Sequence, residues 1–335
     1  MEYTTGVTLL TSLTAIAAAQ TCDAYDPPAS LAEVRGSSVE ASGLTFAHLR
    51  DGVLFTHGDQ GDEPVIVSFR TDGTLLDEHR VTNADNTDWE DIASAPCPDE
   101  GWCLYIGDIG DNHRDHDKIT VYVVREPEAG QTRVRAIERY VAVYPDGPHD
   151  AESLLVDPCS GRITVVTKED DGASQVYQYP PLDAIDGVVT LTRIAGLALP
   201  GPTATSRAAT GGAFSDDGDE LAVRTGDRIF LWTVDRDAPN AHWTAPPLEL
   251  VGSVEHDGEG VAFGPGGDLY TVGEGQPIPL SLAPCTTPGP ASEATCAFPQ
   301  TGRRCGCSGA PGSGATGALL ALALLARRRR TTAGR

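Results

Sequence analysis

The apolar residues of this chain fall in short β-rich runs, and each run is closed by turn-forming Gly, Asp, Pro or Ser. Such punctuation predicts short strands joined by turns. The runs also repeat at long range. Five segments align: Ser42-Gly-Leu-Thr-Phe46, Glu90-Asp-Ile-Ala-Ser94, Glu152-Ser-Leu-Leu-Val156, Thr210-Gly-Gly-Ala-Phe214 and Glu259-Gly-Val-Ala-Phe263, spaced by 48, 62, 58 and 49 residues. A turn and a second run follow each one, at Val53–Thr56, Leu104–Ile106, Ile163–Thr167, Leu221–Arg224 and Leu269–Val272. Third runs follow in four of the five. Units of this length with about four short strands are what a β-propeller blade requires. The expected fold is therefore an all-β propeller of five blades, with six as the alternative if an irregular stretch hides one. The segment before Ser42 is expected to close the ring. Radial repetition also hides most strand edges, which a large all-β chain must otherwise protect.

Acidic residues repeat with the strands. Asp88/Glu90, Asp150/Glu152 and Asp257/Glu259 are carboxylate pairs at i and i+2, which strand alternation points to one face. Ser42 and Thr210 hold the Glu position in the other two repeats. A second set lies 15–18 residues further on, at Asp59, Asp108, Glu169, Asp227 and Glu274. If equivalent positions face the ring axis, these oxygens converge on one end of a channel. Carboxylates held so close bind a hard cation or take up protons. Calcium suits them, with its oxygen ligands and flexible geometry. The competing reading gives these acids to backbone N–H groups in turns. His57, His149 and His256 stand near the acids, as general bases or as partners that steady them. Gly107–Asp117 is a dense Asp/His loop, read as a solvated connection or a further metal loop. Trp89, Trp232 and Trp243 are read as core.

The strings Asp88-Trp-Glu-Asp-Ile-Ala93, Ile106-Gly-Asp-Ile-Gly-Asp-Asn112 and Tyr144-Pro-Asp-Gly-Pro-His-Asp-Ala-Glu-Ser153 resemble a family of secreted bacterial β-propeller proteins of largely unknown function. Thr210-Gly-Gly and Gly273-Glu-Gly275 fit the same pattern. That resemblance implies the fold over roughly residues 38–280 and no particular activity. More remotely, the acidic ring is similar to that of β-propeller phytases and related esterase-like propellers, which implies a calcium-lined channel holding a phosphate ester. Lys168 and Arg224 are the two inner-strand cations that could face such a ligand. No nucleophile elbow, phosphate loop or zinc-protease motif is present.

Charge narrows the partners. The chain has 24 basic and 48 acidic residues among 335, and its net charge is −24. Residues 20–302 alone hold 17 basic and 47 acidic residues. So acidic a surface repels phosphate backbones, which excludes nucleic acid and leaves cations or an unidentified small-molecule or protein ligand. The ends set the expected compartment. Val7–Ala19 has the length of a secretory apolar region, though no Lys or Arg precedes it, and a lipidated Cys22 is the weaker reading. Cys305-Gly-Cys307, a small-residue spacer, Gly317–Ala326 and Arg327–Arg330 resemble a MYXO-CTERM sorting tail, which implies export, processing and cell-surface retention. Membrane association is expected through this tail only. Cys97 and Cys103 flank a turn and are expected to pair, as are Cys285 and Cys296 around a Pro/Thr/Ser-rich loop. The expected organisation is a signal over 1–19, an N-terminal segment over 20–37, a propeller over 38–284, a linker over 285–304 and the tail over 305–335. Three functions follow: a calcium-dependent binding module, a metal-dependent phosphoesterase or esterase-like hydrolase, or a structural surface protein without a metal.

Overall fold

The structure is a computed structural model that describes residues 20–252, 255 and 257–291. The expected signal, the sorting tail, His256 and Cys296 lie outside the described residues.

Twenty-three strands are described. The first two are β1 (Gln20–Cys22) and β2 (Ala29–Val34). Blade 1 is β3 (Ser42–Phe46), β4 (Val53–His57), β5 (Val65–Arg70) and β6 (Leu75–Thr82). Blade 2 is β7 (Trp89–Pro96), β8 (Trp102–Asp108), β9 (Ile119–Arg125) and β10 (Arg133–Val143). Blade 3 is β11 (Ala151–Val156), β12 (Ile163–Thr167), β13 (Gln175–Gln178) and, beyond the short β14 (Val188–Thr190), β15 (Thr192–Gly196). Blade 4 is β16 (Ala209–Phe214), β17 (Glu220–Thr225), β18 (Arg228–Thr233) and β19 (Leu248–Val251). Blade 5 is β20 (Gly258–Phe263), β21 (Leu269–Gly273) and β22 (Ile278–Ala283), and its fourth strand is β2 from the start of the chain. A last strand, β23 (Pro288–Ala291), pairs with β1. The five aligned repeats are the five innermost strands. These neighbour one another in a closed circuit, β3 to β7 to β11 to β16 to β20 and back to β3.

Both faces of most strands are buried, and alternation decides which core each residue joins. In β8, Cys103 and Tyr105 pack with blade 3, whereas Leu104 and Ile106 pack with blade 1. In β4, Leu54 faces blade 5 and Phe55 faces blade 2. Five separate apolar clusters result, one in each gap between neighbouring blades. Trp89, Trp232 and Trp243 lie in these clusters. Burial of that extent is the dominant stabilising term, about 25 cal/mol per Å² of apolar surface.

Two disulfides are placed among the described residues. Cys97–Cys103 staples the β7–β8 turn as expected. The pairing of Cys285 with Cys296 is corrected: Cys285 is bonded to Cys22. The short loop between Cys285 and Cys296 favoured the local bridge, but closing the ring brings Cys22 beside Cys285 from 263 residues away. Cys22 is thereby no lipidation site. Together the bridges mark an oxidising environment. Among the described residues no helix is long and apolar enough to cross a membrane.

Candidate metal centre

In each blade the inner strand runs antiparallel to the second, so the start of one meets the end of the other. Ser42 pairs with His57, Trp89 with Asp108, Ala151 with Thr167, Ala209 with Thr225 and Gly258 with Gly273. Both sets of repeated acids are therefore carried to the same end of the ring. At that point every inner strand also breaks register by one residue, and in blades 2, 3 and 4 the extra residue is Glu90, Glu152 and Thr210. A bulge re-aims the side chain it carries.

The structure brings five carboxylates into two adjoining groups. Single oxygens of Asp59, Asp88 and Glu90 lie within 4.8 Å of one another, and so do those of Glu90, Asp150 and Glu152, with Glu90 common to both. Asp88, Glu90, Asp150 and Glu152 are buried, and Asp59 is exposed at the rim. Both carboxylate oxygens of Asp88 and Oε2 of Glu152 are buried with no hydrogen-bond partner. Burial, then the Asp59 and Asp150 charges, push the Asp88 carboxyl up to about 6. Burial and Glu152 hold Glu90 well above the usual carboxylate range. Glu152 is raised to about 8 by burial, although Lys168 pulls the other way. Gly110 leaves the space over the group open, since a Cβ there would collide with Glu90 and Asp88.

The remaining acids have other partners. Asp108 Oδ1 accepts the N–H groups of Thr87 at 3.1 Å and Asp88 at 2.8 Å, so it holds the strand that presents Asp88. Asp227 accepts the Ser206 hydroxyl at 2.8 Å. Glu169 pairs with Arg114 at 2.7 Å. Half-buried Glu259 faces Glu152 and Lys168, and exposed Glu274 stands beside exposed Asp257. Ser42 and Thr210 donate to backbone carbonyls of the next inner strand, Glu90 at 2.7 Å and Gly258 at 2.8 Å. His57 is fully buried, edge-on to Trp89, and its pKa is lowered by burial. His149 binds Asp146 and Tyr177. The Gly107–Asp117 loop is buried as far as Asp111 except at half-buried Asp108, and the Asp111 carboxylate accepts the N–H groups of Asp115 and His116 at 2.9 and 2.8 Å.

Two residues that matter here were not singled out from sequence. Fully buried Asp91 accepts N–H groups of Leu154 in β11 at 2.8 Å and of Gly212 in β16 at 2.9 Å, tying blades 2, 3 and 4 beneath the acidic group. The signal was available: the aligned repeats have Gly43, Ser153, Gly211 and Gly260 at that position, and Asp91 is the one acid. Glu255 is the second. It accepts from Thr271 at 2.6 Å and from the buried guanidinium of Arg224 at 3.2 Å. Arg224 also donates to the carbonyls of Gly260 at 2.8 Å and Val272 at 2.7 Å. On the acidic side, Lys168 reaches from the end of β12 to Glu152 Oε1. Beside it opens a cavity of about 400 Å³ lined by Asn112, Arg114, Asp150, Lys168, Glu169, Asp170 and Asp171.

No family model matches the chain. No curated protein matches it either. Among solved structures it is similar to a glucose dehydrogenase, at 12% identity over 77% of this chain and 98% of that one, with a TM-score of 0.43. It is also similar to the β-propeller domain of Cps50 (Swd1) from Myceliophteria thermophila, at 11% identity over 79% of this chain and 99% of that one, with a TM-score of 0.38. The assignment as a β-propeller rests on the strand order and on the five cores between blades.

Proposed function

We propose that the acidic end of the ring binds calcium and that the protein is an exported, surface-associated binding module whose ligand site depends on that ion. The observation that carries this reading is Asp88: a carboxylate 1% exposed, with neither oxygen hydrogen-bonded, facing Asp59 and Glu90. An unpaired buried carboxylate is costly, and the charges that act on this one most strongly are further carboxylates, Asp59 and Asp150. A hard cation taking six to eight oxygens at 2.3–2.6 Å answers that arrangement. The residues present fit calcium: five carboxylates in two groups, a rim open through Asp59, and no thiol or imidazole among them. The two disulfides agree with an extracellular setting.

A second reading, metal-dependent hydrolysis of a phosphate or carboxylate ester, is favoured by the cavity. It sets Arg114 and Lys168 beside the acidic group, where they could hold an anionic substrate against the ion.

Thermal melts of the purified protein in calcium, magnesium and chelator test the main reading. Calcium at one hundred times its Kd is expected to add about 2.7 kcal/mol of stability, and magnesium much less. A midpoint indifferent to calcium ends the proposal. So does unchanged calcium affinity when Glu90, Glu152 and Glu259 are replaced together by Gln. Calcium-dependent turnover of a chromogenic ester moves the assignment to the second reading.

A further inference from the structure

Lys168 is an exception in the repeat. The residue before each acid of the second set is Gly58, Gly107, Gly226 and Gly273 in four blades, and Lys168 in the third. The whole chain has just two lysines. One of them stands where its siblings have no side chain at all, and its ammonium lies on Glu152 Oε1. Burial works against a charge there, yet Glu152, Glu259 and Glu90 hold Lys168 above the usual lysine range.

The acidic end offers two adjoining positions for positive charge that share Glu90. The ammonium sits on the group made by Glu90, Asp150 and Glu152. The other, made by Asp59, Asp88 and Glu90, has no ion pair with a basic side chain among the described residues: His116 lies near Asp88 but bonds neither of its oxygens, and both lack a partner. We infer that Lys168 is a built-in substitute for a second metal ion: it fills one of two cation positions and limits the ring to a single calcium, bound at Asp59, Asp88 and Glu90. An ammonium can do this because it is a compact point charge on a flexible stem. It delivers one positive charge where a divalent ion would deliver two, and it needs none of the remaining ligands such an ion takes from side chains or water. Glycine at this place in the other blades supplies no equivalent charge. The inference rests on the calcium reading and gives it a stoichiometry.

Calcium bound per chain, counted by equilibrium dialysis on the full chain, is the test. Wild type is expected to bind one ion, and K168M and K168Q two. K168R, which keeps the charge, is expected to stay at one. Asp59→Asn is expected to lose the single ion, whereas D59N combined with K168M keeps one, now at Asp150 and Glu152. The Lys168 side chain is 29% exposed, so its removal opens no sealed void, and a cooperative melt in chelator verifies each variant. A count of one in wild type, K168M and K168Q alike overturns this inference and leaves the calcium reading standing. A count of zero throughout overturns both.

Discussion

The ring has two unlike arcs. Across blades 4 and 5, Arg224 is buried and meets Glu255 and the carbonyls of Gly260 and Val272, so this buried pair is answered by the chain itself. Across blades 1 to 3, Asp59, Asp88, Glu90, Asp150 and Glu152 face one another: Lys168 bonds Glu152 and the Asp111 N–H bonds Asp150, while both oxygens of Asp88 are left without a partner. Both arcs are built on the same strand pairing and the same register break. The backbone therefore decides where side chains converge, and the identity of one residue per blade decides whether the result is a finished ion pair or a cluster of like charges. A finished pair stabilises the fold at all times. On the calcium reading proposed above, the other arc is completed by the bound ion.

That contrast can be broken or sharpened by experiment. The largest effect is expected from Arg224→Met, which strands Glu255 in the core. Removing one member of a buried pair costs about 3–5 kcal/mol, read as a drop in urea stability whether or not calcium is present. Glu90→Gln in chelator is its counterpart and is expected to be neutral or stabilising, because it relieves repulsion. A similar loss in both variants would erase the distinction between the arcs. Next comes the seam of the ring. Replacing Cys22 and Cys285 by Ser is expected to cost about 2–5 kcal/mol, since that bridge ties segments 263 residues apart. The same change at Cys97 and Cys103 should cost less, because its loop spans only 6 residues. Equal losses would mean that loop length does not govern either bridge.

The smallest effect is the response to pH. Asp88 is raised to about 6 in the folded protein against an ordinary value near 4. A carboxyl shifted in that direction stabilises the fold while protonated, below its unfolded pKa, and the contribution is lost as pH rises through about 6. In chelator the protein should thus melt higher at pH 5 than at pH 7.5, by the equivalent of about 1–3 kcal/mol. Asp88→Asn should flatten that slope. A chelated wild type that gains stability with rising pH over this range would contradict the burial of Asp88.

The blades were legible because a strand buried on both faces must recur with the unit that buries it. The i, i+2 pairs were legible too, since Asp88 with Glu90 and Asp150 with Glu152 do arrive together. Alternation gives a direction, but it does not say which backbone N–H groups a turn leaves open. That is why Asp108 went to Thr87 and Asp88, and why Ser42 and Thr210 turned to carbonyls of a neighbouring blade. Asp91 was hidden for a related reason: its partners lie 63 and 121 residues away, and only closure of the ring brings them within reach. Cys22 shows the same limit. Separation in sequence argued for a local bridge, and the circle made the distant one short.

β1 lies against β23, so Gln20 stands opposite Ala291. The propeller can therefore be treated as a cassette whose first and last described residues lie side by side. Grafted into a surface loop of a host, such a module would demand little spacing from its neighbours, because its leads are already side by side. Cut instead at a turn between two blades and spliced across the old ends, it would keep all five cores between blades and merely renumber them. The order in which the gene spells the blades is, in that sense, a convention that the circle does not need.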